Sequence, residues 1–232
     1  MTIEMIAFDA DDTLWHAEVL FQSALEEFKK ILSKWEEPET IDEIMVEIEM
    51  RNLPHLGYGV KAFMLSMIEG AIQISNGEID ARSIEKILSI GRSMLEAQLS
   101  LRPHITETLN TLADNYRMMI ITKGDLLDQT MKVERSGLAQ YFSLVEVVNE
   151  KTPQTYTSIL KKLNLNPEHF LMVGNSIKSD ILPVLELGGK AVYIPGDTTW
   201  VHEMVPDFTT PKENFYELEH LGQLPDLIAK IA

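Results

Sequence analysis

The chain contains no cysteine. That excludes a disulfide framework, a thiolate nucleophile and a cysteine-ligated metal, and it fits a reducing compartment. Nowhere does it reach the roughly 20 consecutive apolar residues that carry a helix across a bilayer, so no membrane partner is expected. Its first residues lack a basic segment leading into an apolar one, since Glu4 and Asp9 interrupt the pattern. A secretory leader is not expected, and a cytoplasmic protein is. Internal repeats and low-complexity tracts are absent as well. Positive charge is scarce: 20 Lys and Arg stand against 36 Asp and Glu, for a formal net charge of −16 and a pI near 4.7. Such a field repels phosphate backbones, so nucleic acid is not an expected partner. It repels small phosphates too. A phosphate-handling site in this chain therefore needs local positive potential from a metal, a lysine or helix N-termini.

What is present suffices for a core. The 232 residues are 45% hydrophobic with mean hydropathy −0.05, which suits one large domain or two modest ones. The chain is organised around Met5 to Trp15. The apolar run Ile3 to Phe8 has the length of a buried strand, although periodicity alone does not separate it from a helix. It ends in Asp9-Ala10-Asp11-Asp12, which places Asp9 at the C-terminal end, the edge where open α/β sheets bind ligands. Asp9 and Asp11 are two residues apart, so in a continuing strand they face the same way and repel. A divalent cation with oxygen ligands relieves that repulsion; an acidic turn after a strand is the plainer alternative.

From His16 to about Leu101 the spacing is helical throughout. One helix ends near Trp35, with Leu20, Leu25, Phe28, Ile31 and Leu32 on one face. A second starts at Pro38 to Thr40 and carries Ile41, Ile44, Met45 and Ile48. A loop is expected over Asn52 to Gly59, then helices over Val60 to Ser75 and Asp80 to Leu99, the last with Ile84, Ile87, Leu88, Met94 and Leu95 buried. Four helices without a strand suggest a small bundle. After Pro103 the pattern alternates. Strands are expected at Arg117–Thr122, Leu144–Val148, Phe170–Gly174 and Lys190–Ile194, with a short edge strand at Phe208–Thr210. Helices are expected at His104–Asp114, Asp125–Ser136, Pro153–Leu163, Ile177–Leu187 and within Leu218–Ile231. The expected fold is α/β: a Rossmann-like parallel sheet with helices on both faces, plus an inserted all-α domain. Residues 1–15 and 103–232 form the core, and residues 16–102 form the insertion.

Three further stretches fall at strand ends. Thr122-Lys123-Gly124 offers a hydroxyl and a helix start to an oxyanion, or a helix N-cap. Lys151 precedes the helix begun by Pro153 and is either a site lysine or a surface one. Gly174-Asn175-Ser176-Ile177-Lys178-Ser179-Asp180 places polar groups and an acid one helical turn past a strand, or simply caps a helix with Ser176. In order and context these stretches together resemble the haloacid dehalogenase-like hydrolase superfamily. DADDTLW at residues 9–15 is similar to its first motif (DxDxT), Thr122 to its second, Lys151 to its third and GNSIKSD at residues 174–180 to its fourth. The helical insertion resembles the cap placed after the first motif in part of that superfamily.

The resemblance implies a phosphatase acting on a small-molecule phosphate ester. It implies that Asp9 is the nucleophile, forming an aspartyl-phosphate, and that Asp11 is the general acid and base. Thr122 and the backbone at Lys123 and Gly124 would hold the phosphoryl oxygens, and Lys151 would neutralise charge. Mg²⁺ would be held by the Asp9 carboxylate, the Asp11 carbonyl and the fourth motif, through Asn175 and Asp180. Phosphate monoester hydrolysis is among the slowest uncatalysed reactions, and its catalysis is mostly positioning and cations. A carboxylate nucleophile divides the hard displacement into two easier steps. Asn175 stands where many members of the superfamily have Asp. A neutral amide is the weaker Mg²⁺ ligand, which shifts metal binding towards Asp180. Asp12 and His104 stand where Gly is common.

Dehalogenases of the superfamily lack the second motif acid, so Asp11 points to phosphoryl transfer. A sugar-phosphate mutase and a non-catalytic phospho-accepting or interaction protein are the other readings. Substrate choice is expected in the insertion, at His16, His55, Lys61 and above all the Gly57-Tyr58-Gly59 loop, with Tyr58 as a binding residue. Trp200, His202 and Glu203 form a polar-aromatic loop that either borders the site or packs. Met45, Met50, Met64 and Met67 read as adaptable core. The sequence does not fix an oligomeric state.

Overall fold

The computed structural model describes residues 2–196, 200, 203–206, 208–211 and 213–231. Two compact units emerge. One is Met1–Glu18, Leu99–Lys123 and Gln129–Ala232; the other is Val19–Gln98 with Gly124–Asp128. In chain order the elements are β1 (Met5–Phe8), then the helices α1 (Glu18–Leu32), α2 (Pro38–Leu56), α3 (Val60–Ile74) and α4 (Ala81–Glu96). Alternation follows: α5 (Ile105–Ala113), β2 (Arg117–Lys123), α6 (Leu126–Arg135), β3 (Leu144–Val148), α7 (Pro153–Leu163), β4 (Phe170–Gly174), α8 (Leu182–Glu186), β5 (Lys190–Tyr193), β6 (Phe215–Glu217) and α9 (Leu224–Ile231). No helix among the described residues is long and apolar enough to cross a membrane.

The strands form one six-stranded sheet in the order β3-β2-β1-β4-β5-β6, every pair parallel. The α/β Rossmann-like fold expected from the sequence is therefore the fold observed. Alternate residues of each strand serve opposite faces. Ile6, Phe8, Met118, Ile120, Leu171 and Val173 pack with Leu109 and Leu112 of α5 and Leu224 and Ile228 of α9. Met5, Ala7, Met119, Ile121, Phe170 and Met172 pack with Tyr156, Ile159 and Leu160 of α7 and Val184 of α8. With both faces covered, the central strands β1, β2 and β4 read as unbroken apolar runs rather than alternating ones. The chain runs from β1 outward through β2 to β3, then returns to β4 on the other side of β1. That reversal is the topological switch point at which such sheets bind ligands.

The second unit has its own core. Phe28 and Leu32 of α1, Ile41 and Met45 of α2, Met67 and Ala71 of α3, and Ile87 and Met94 of α4 meet there. Met45 and Met67 are buried and Met64 packs at the edge, whereas Met50 is exposed.

Three sequence expectations are corrected. First, α2 does not stop at Asn52 but runs through Pro54 to Leu56. A proline in the last turn forfeits one backbone bond, and Gly57, at φ 70°, closes the helix by donating from its N–H to the Leu53 carbonyl at 3.0 Å. Second, Ile177–Leu187 is not one regular helix. A wide π-type turn spans Ile177–Ile181 before α8 begins. Pro183 has no N–H for the Ser179 carbonyl four residues back, and the Tyr156 hydroxyl donates to that carbonyl instead, at 3.1 Å. Third, Phe208–Thr210 is not a strand. The edge strand is Phe215–Glu217, in register with Ala191–Tyr193; the residues before Pro211 have no such partner assigned, and a proline supplies no ladder donor.

Candidate active site

The site is built at the C-terminal ends of β1, β2, β3 and β4, within the first unit. Asp9 follows β1 and is anchored by its own N–H to the Val173 carbonyl of β4 at 2.9 Å. Its two carboxylate oxygens have different partners. Lys151 Nζ donates to Oδ1 at 2.5 Å, and the buried Thr13 hydroxyl donates to Oδ2 at 3.0 Å. Lys151 also donates to Asp180 Oδ1 at 2.6 Å, and Asp180 Oδ2 accepts from the Ser176 N–H at 3.0 Å. One ammonium, 1% exposed, is thus shared by two buried carboxylates. Burial alone would drive its proton off, but Asp180 and then Asp9 outweigh that and push Lys151 up to about 12. Burial raises the Asp9 carboxyl to about 7; Lys151 opposes the rise and Asp180 adds to it. With both carboxylates ionised the trio carries one uncompensated negative charge.

Gly174, at the end of β4, is required for this packing. A Cβ there would lie 2.2 Å from Asp180 Oδ2. Asn175 comes next. With its amide nitrogen turned inward it donates to Thr13 Oγ1 at 3.1 Å, Asp9 Oδ2 at 3.2 Å and the Asp11 carbonyl at 3.3 Å. Turned over, the amide presents its oxygen to the same point as Asp9 Oδ2 and the Asp11 carbonyl. A carboxylate, a carbonyl and an amide oxygen suit a hard cation that keeps several waters, as Mg²⁺ does. Among the described residues no group of three or more His, Cys, Asp or Glu is arranged to hold a metal, so that mixed oxygen set is the one that fits. Both Asp180 oxygens are already taken by Lys151 and the Ser176 N–H.

Asp11 sits in a separate cradle. Trp15 Nε1 donates to its Oδ1 at 2.7 Å and Gln129 Nε2 to its Oδ2 at 2.8 Å, while Lys132 Nζ reaches both oxygens at 3.0 and 2.9 Å. Burial favours the neutral acid, but the Lys132 charge and these donors win and hold the group below the ordinary carboxylate range. Asp12 adopts φ 60° and accepts from the N–H groups of Ala17 and Glu18 at 2.9 and 3.0 Å, which fixes the entry to α1. His104 also has positive φ, 67°. Asp12 and His104 thus fill left-handed positions at which glycine is the easy choice.

Thr122 is buried at the end of β2, its hydroxyl 3.4 Å from the Lys123 carbonyl. The Lys123 side chain pairs with Glu203 and donates to Ser179 Oγ at 3.0 Å. Glu203 also accepts from the Ser176 hydroxyl and, at 2.6 Å, from the Ser179 hydroxyl. Burial raises the Glu203 carboxyl, and Lys123 with the two hydroxyls more than reverses this.

The sequence-predicted residues Asp9, Asp11, Thr122, Lys123, Lys151, Asn175 and Asp180 all belong to the first unit. Tyr58 and Gly124 belong to the second. There the Tyr58 loop lies against the segment following β2. A Cβ on Gly59 would meet the Asp125 nitrogen at 3.4 Å, and Lys61 pairs with Asp125 at 2.7 Å. His55 ends α2, Trp200 is half-buried, and His202 lies outside the described residues. Sequence reasoning missed Thr13, Trp15, Gln129, Lys132 and Ser179. The pattern of α6 runs against polarity: Gln129 and Lys132 are buried while Leu126 and Leu127 are exposed.

A family model for a haloacid dehalogenase-like hydrolase matches residues 3–188, a span that holds Asp9, Asp11, Thr122, Lys151, Asn175 and Asp180. The chain belongs to this hydrolase family. A haloacid dehalogenase-like hydrolase from Xanthomonas campestris is 36% identical, with TM-score 0.88 over 99% of this chain and 92% of that one. N-acylneuraminate-9-phosphatase from Rattus norvegicus is 26% identical over 99% of this chain and 95% of that protein. Glyceraldehyde 3-phosphate phosphatase from Methanothermobacter thermautotrophicus is 31% identical over 42% of this chain and 46% of that protein. A 2-haloacid dehalogenase from Pseudomonas syringae, 22% identical with TM-score 0.63, shares the fold. This family member is an enzyme, a hydrolase with phosphatases among its relatives.

Proposed function

We propose that the chain is a cytoplasmic, Mg²⁺-dependent phosphatase of a small phosphorylated metabolite, working through an aspartyl-phosphate on Asp9. The observation that carries the reading is the Lys151 ammonium shared by Asp9 and Asp180, beside an oxygen set suited to a divalent cation. Lys151 and Thr13 fix the Asp9 carboxylate, so its attack on phosphorus starts from one orientation. Thr122 and the backbone amides at Lys123 and Gly124 hold the phosphoryl oxygens. Asp9, the Asp11 carbonyl and Asn175, with Asp180 behind them, would hold a Mg²⁺ ion, which would supply charge neutralisation at the phosphoryl group.

Asp11 gives a proton to the leaving oxygen and then takes one from the hydrolytic water. In the observed rotamer its acceptor positions are all used by Trp15, Gln129 and Lys132. Proton transfer therefore requires rotation out of that cradle. The residues 16–102 act as the cap, and the Tyr58 loop is the element that reads the leaving group. Its contact with Gly124 and Asp125, which follow Thr122 and Lys123 in the chain, supports this role. The names of the relatives support phosphorylated sugars and sugar acids as the first class to screen.

The test is release of p-nitrophenol from p-nitrophenyl phosphate, with Mg²⁺ and with EDTA. Activity is expected only with the metal, and an Asp9→Asn variant should keep the fold and lose turnover. A folded Asp9→Asn protein that still turns over would sink the mechanism.

A further inference from the structure

Three lysines of the first unit enter this region, and each is matched to carboxylates. Lys151 serves Asp9 and Asp180, Lys132 serves Asp11, and Lys123 serves Glu203. The first two partners belong to the family motifs. Glu203 does not: it comes from the segment after β5, beyond residues 3–188, the span that the family model matches. It is nonetheless well tied to the motifs. It takes the Lys123 ammonium from the residue after Thr122, and both hydroxyls, Ser176 and Ser179, from the turn that presents Asp180. The Lys123 and Glu203 side chains are each 12% exposed, so little water screens the pair.

Lysine is a mobile point charge on a four-carbon stem. Lys123 Nζ already bonds Ser179 Oγ, one residue before Asp180. Without Glu203 this ammonium loses its carboxylate partner and, bonded beside Asp180, adds its positive charge to the region where Asp9, the Asp11 carbonyl and Asn175 would take a divalent cation. Two cations at one carboxylate cluster exclude each other by charge. Asn175 makes this acute, since a neutral amide gives the metal less hold than a carboxylate would.

We infer that Glu203 is a positioning residue that sequesters Lys123 and thereby keeps the acidic site open to Mg²⁺; this rests on the Mg²⁺-dependent reading above. Glu203 touches neither substrate nor metal in this role. It sets where the Lys123 charge resides and holds the Ser176–Ser179 turn.

Isothermal titration calorimetry of Mg²⁺ into the full chain, without substrate, tests this. Glu203→Gln should weaken Mg²⁺ binding about tenfold or more, the scale set by one misplaced charge at short range. Adding Lys123→Met to Glu203→Gln should restore binding to within about threefold of wild type, because the competing cation is gone. A purely structural role predicts lowered thermal stability without such a rescue. If Glu203→Gln does not fold, Glu203→Asp, alone and with Lys123→Met, gives the same comparison with a smaller first step. Equal Mg²⁺ affinity in wild type and Glu203→Gln, or a double variant no tighter than the single one, overturns the inference while leaving the phosphatase reading intact. A wild type that takes up no Mg²⁺ ends both.

Discussion

Replacing Lys151 by methionine keeps most of the side chain's length and removes its charge. In the wild type the ammonium is held by Asp9 at 2.5 Å and Asp180 at 2.6 Å and is almost wholly out of water. Its proton is bound more tightly in the folded than in the unfolded chain. Its stabilisation is therefore fully present below the ordinary lysine value of 10.5 and is lost as pH rises towards 12. Lys151→Met leaves two buried carboxylates with no cation, and breaking a buried pair in this way costs about 3–5 kcal/mol. For a chain of this size that is a fall in Tm of about 6–20 °C. The size should depend on pH with a definite sign. Asp9, already raised to about 7 by burial, loses the charge that had opposed the rise. A carboxylate whose folded pKa is raised binds more protons folded than unfolded, so stability falls as pH climbs from about 4 through 7 and beyond. The Tm gap between wild type and variant should be small at pH 5 and widest at pH 8, and Mg²⁺ should close part of it at pH 8. Thermal melts followed by circular dichroism at pH 5, 6.5 and 8, with Mg²⁺ and with EDTA, measure this. A gap under about 3 °C at pH 8 in EDTA, or one that does not change with pH, would show that the Lys151 trio is not the electrostatic centre of the site.

Asn175→Asp adds a carboxylate to the cation's oxygen set; it should tighten Mg²⁺ binding about tenfold in calorimetry and lower Tm in EDTA, where the extra charge faces Asp9 uncompensated. Lys132→Met removes the main group pulling the Asp11 carboxyl down, so the limb of the pH–rate profile set by Asp11 should move to higher pH, with Lys132→Arg keeping it near the wild-type position. Gly174→Ala drives a methyl to 2.2 Å from Asp180 Oδ2; turnover should fall about 100-fold, the scale expected when a catalytic group is displaced by about 1 Å, and a variant with wild-type activity would refute the requirement for glycine at this strand end.

The central strands were legible because they are buried on both faces and so appear as short apolar runs bounded by Gly, Pro and polar turns. Phe170–Gly174 was located to the residue for that reason. β6 was not legible. Its three residues carry too little pattern, and what defines them is register against β5, a non-local property. The turn at Ile177–Ile181 escaped because its cause is divided: Pro183 removes the donor and Tyr156, from another helix, replaces it. At the site, the acids, Thr122 and Lys151 announced themselves by falling at consecutive strand ends. Lys132 and Gln129 did not, since a polar residue in a helix is ordinarily read as solvated. Here the structure reverses the expectation from polarity, burying them and exposing Leu126 and Leu127.

The lysines explain how a chain of net charge −16 prepares a place for a phosphate. Asp9, Asp11, Asp180 and Glu203 bring four carboxylates to the first unit's strand ends, and Lys123, Lys132 and Lys151 bring three ammonium groups. Every ammonium is bonded to a particular carboxylate at hydrogen-bond distance. None can turn to a phosphate dianion without uncovering the acid it serves, at the cost of a buried unpaired charge. The lysines therefore fix the geometry of the acids more than they attract substrate. The remaining deficit is one positive charge before substrate arrives and three afterwards, if the substrate is a dianion. A monovalent ion at the Asp9–Asp11–Asn175 oxygens would leave much of that uncovered. A divalent one reverses the sign of the empty site, so the cation dependence we propose would follow from the charge the fold leaves unmatched as much as from the ligand geometry.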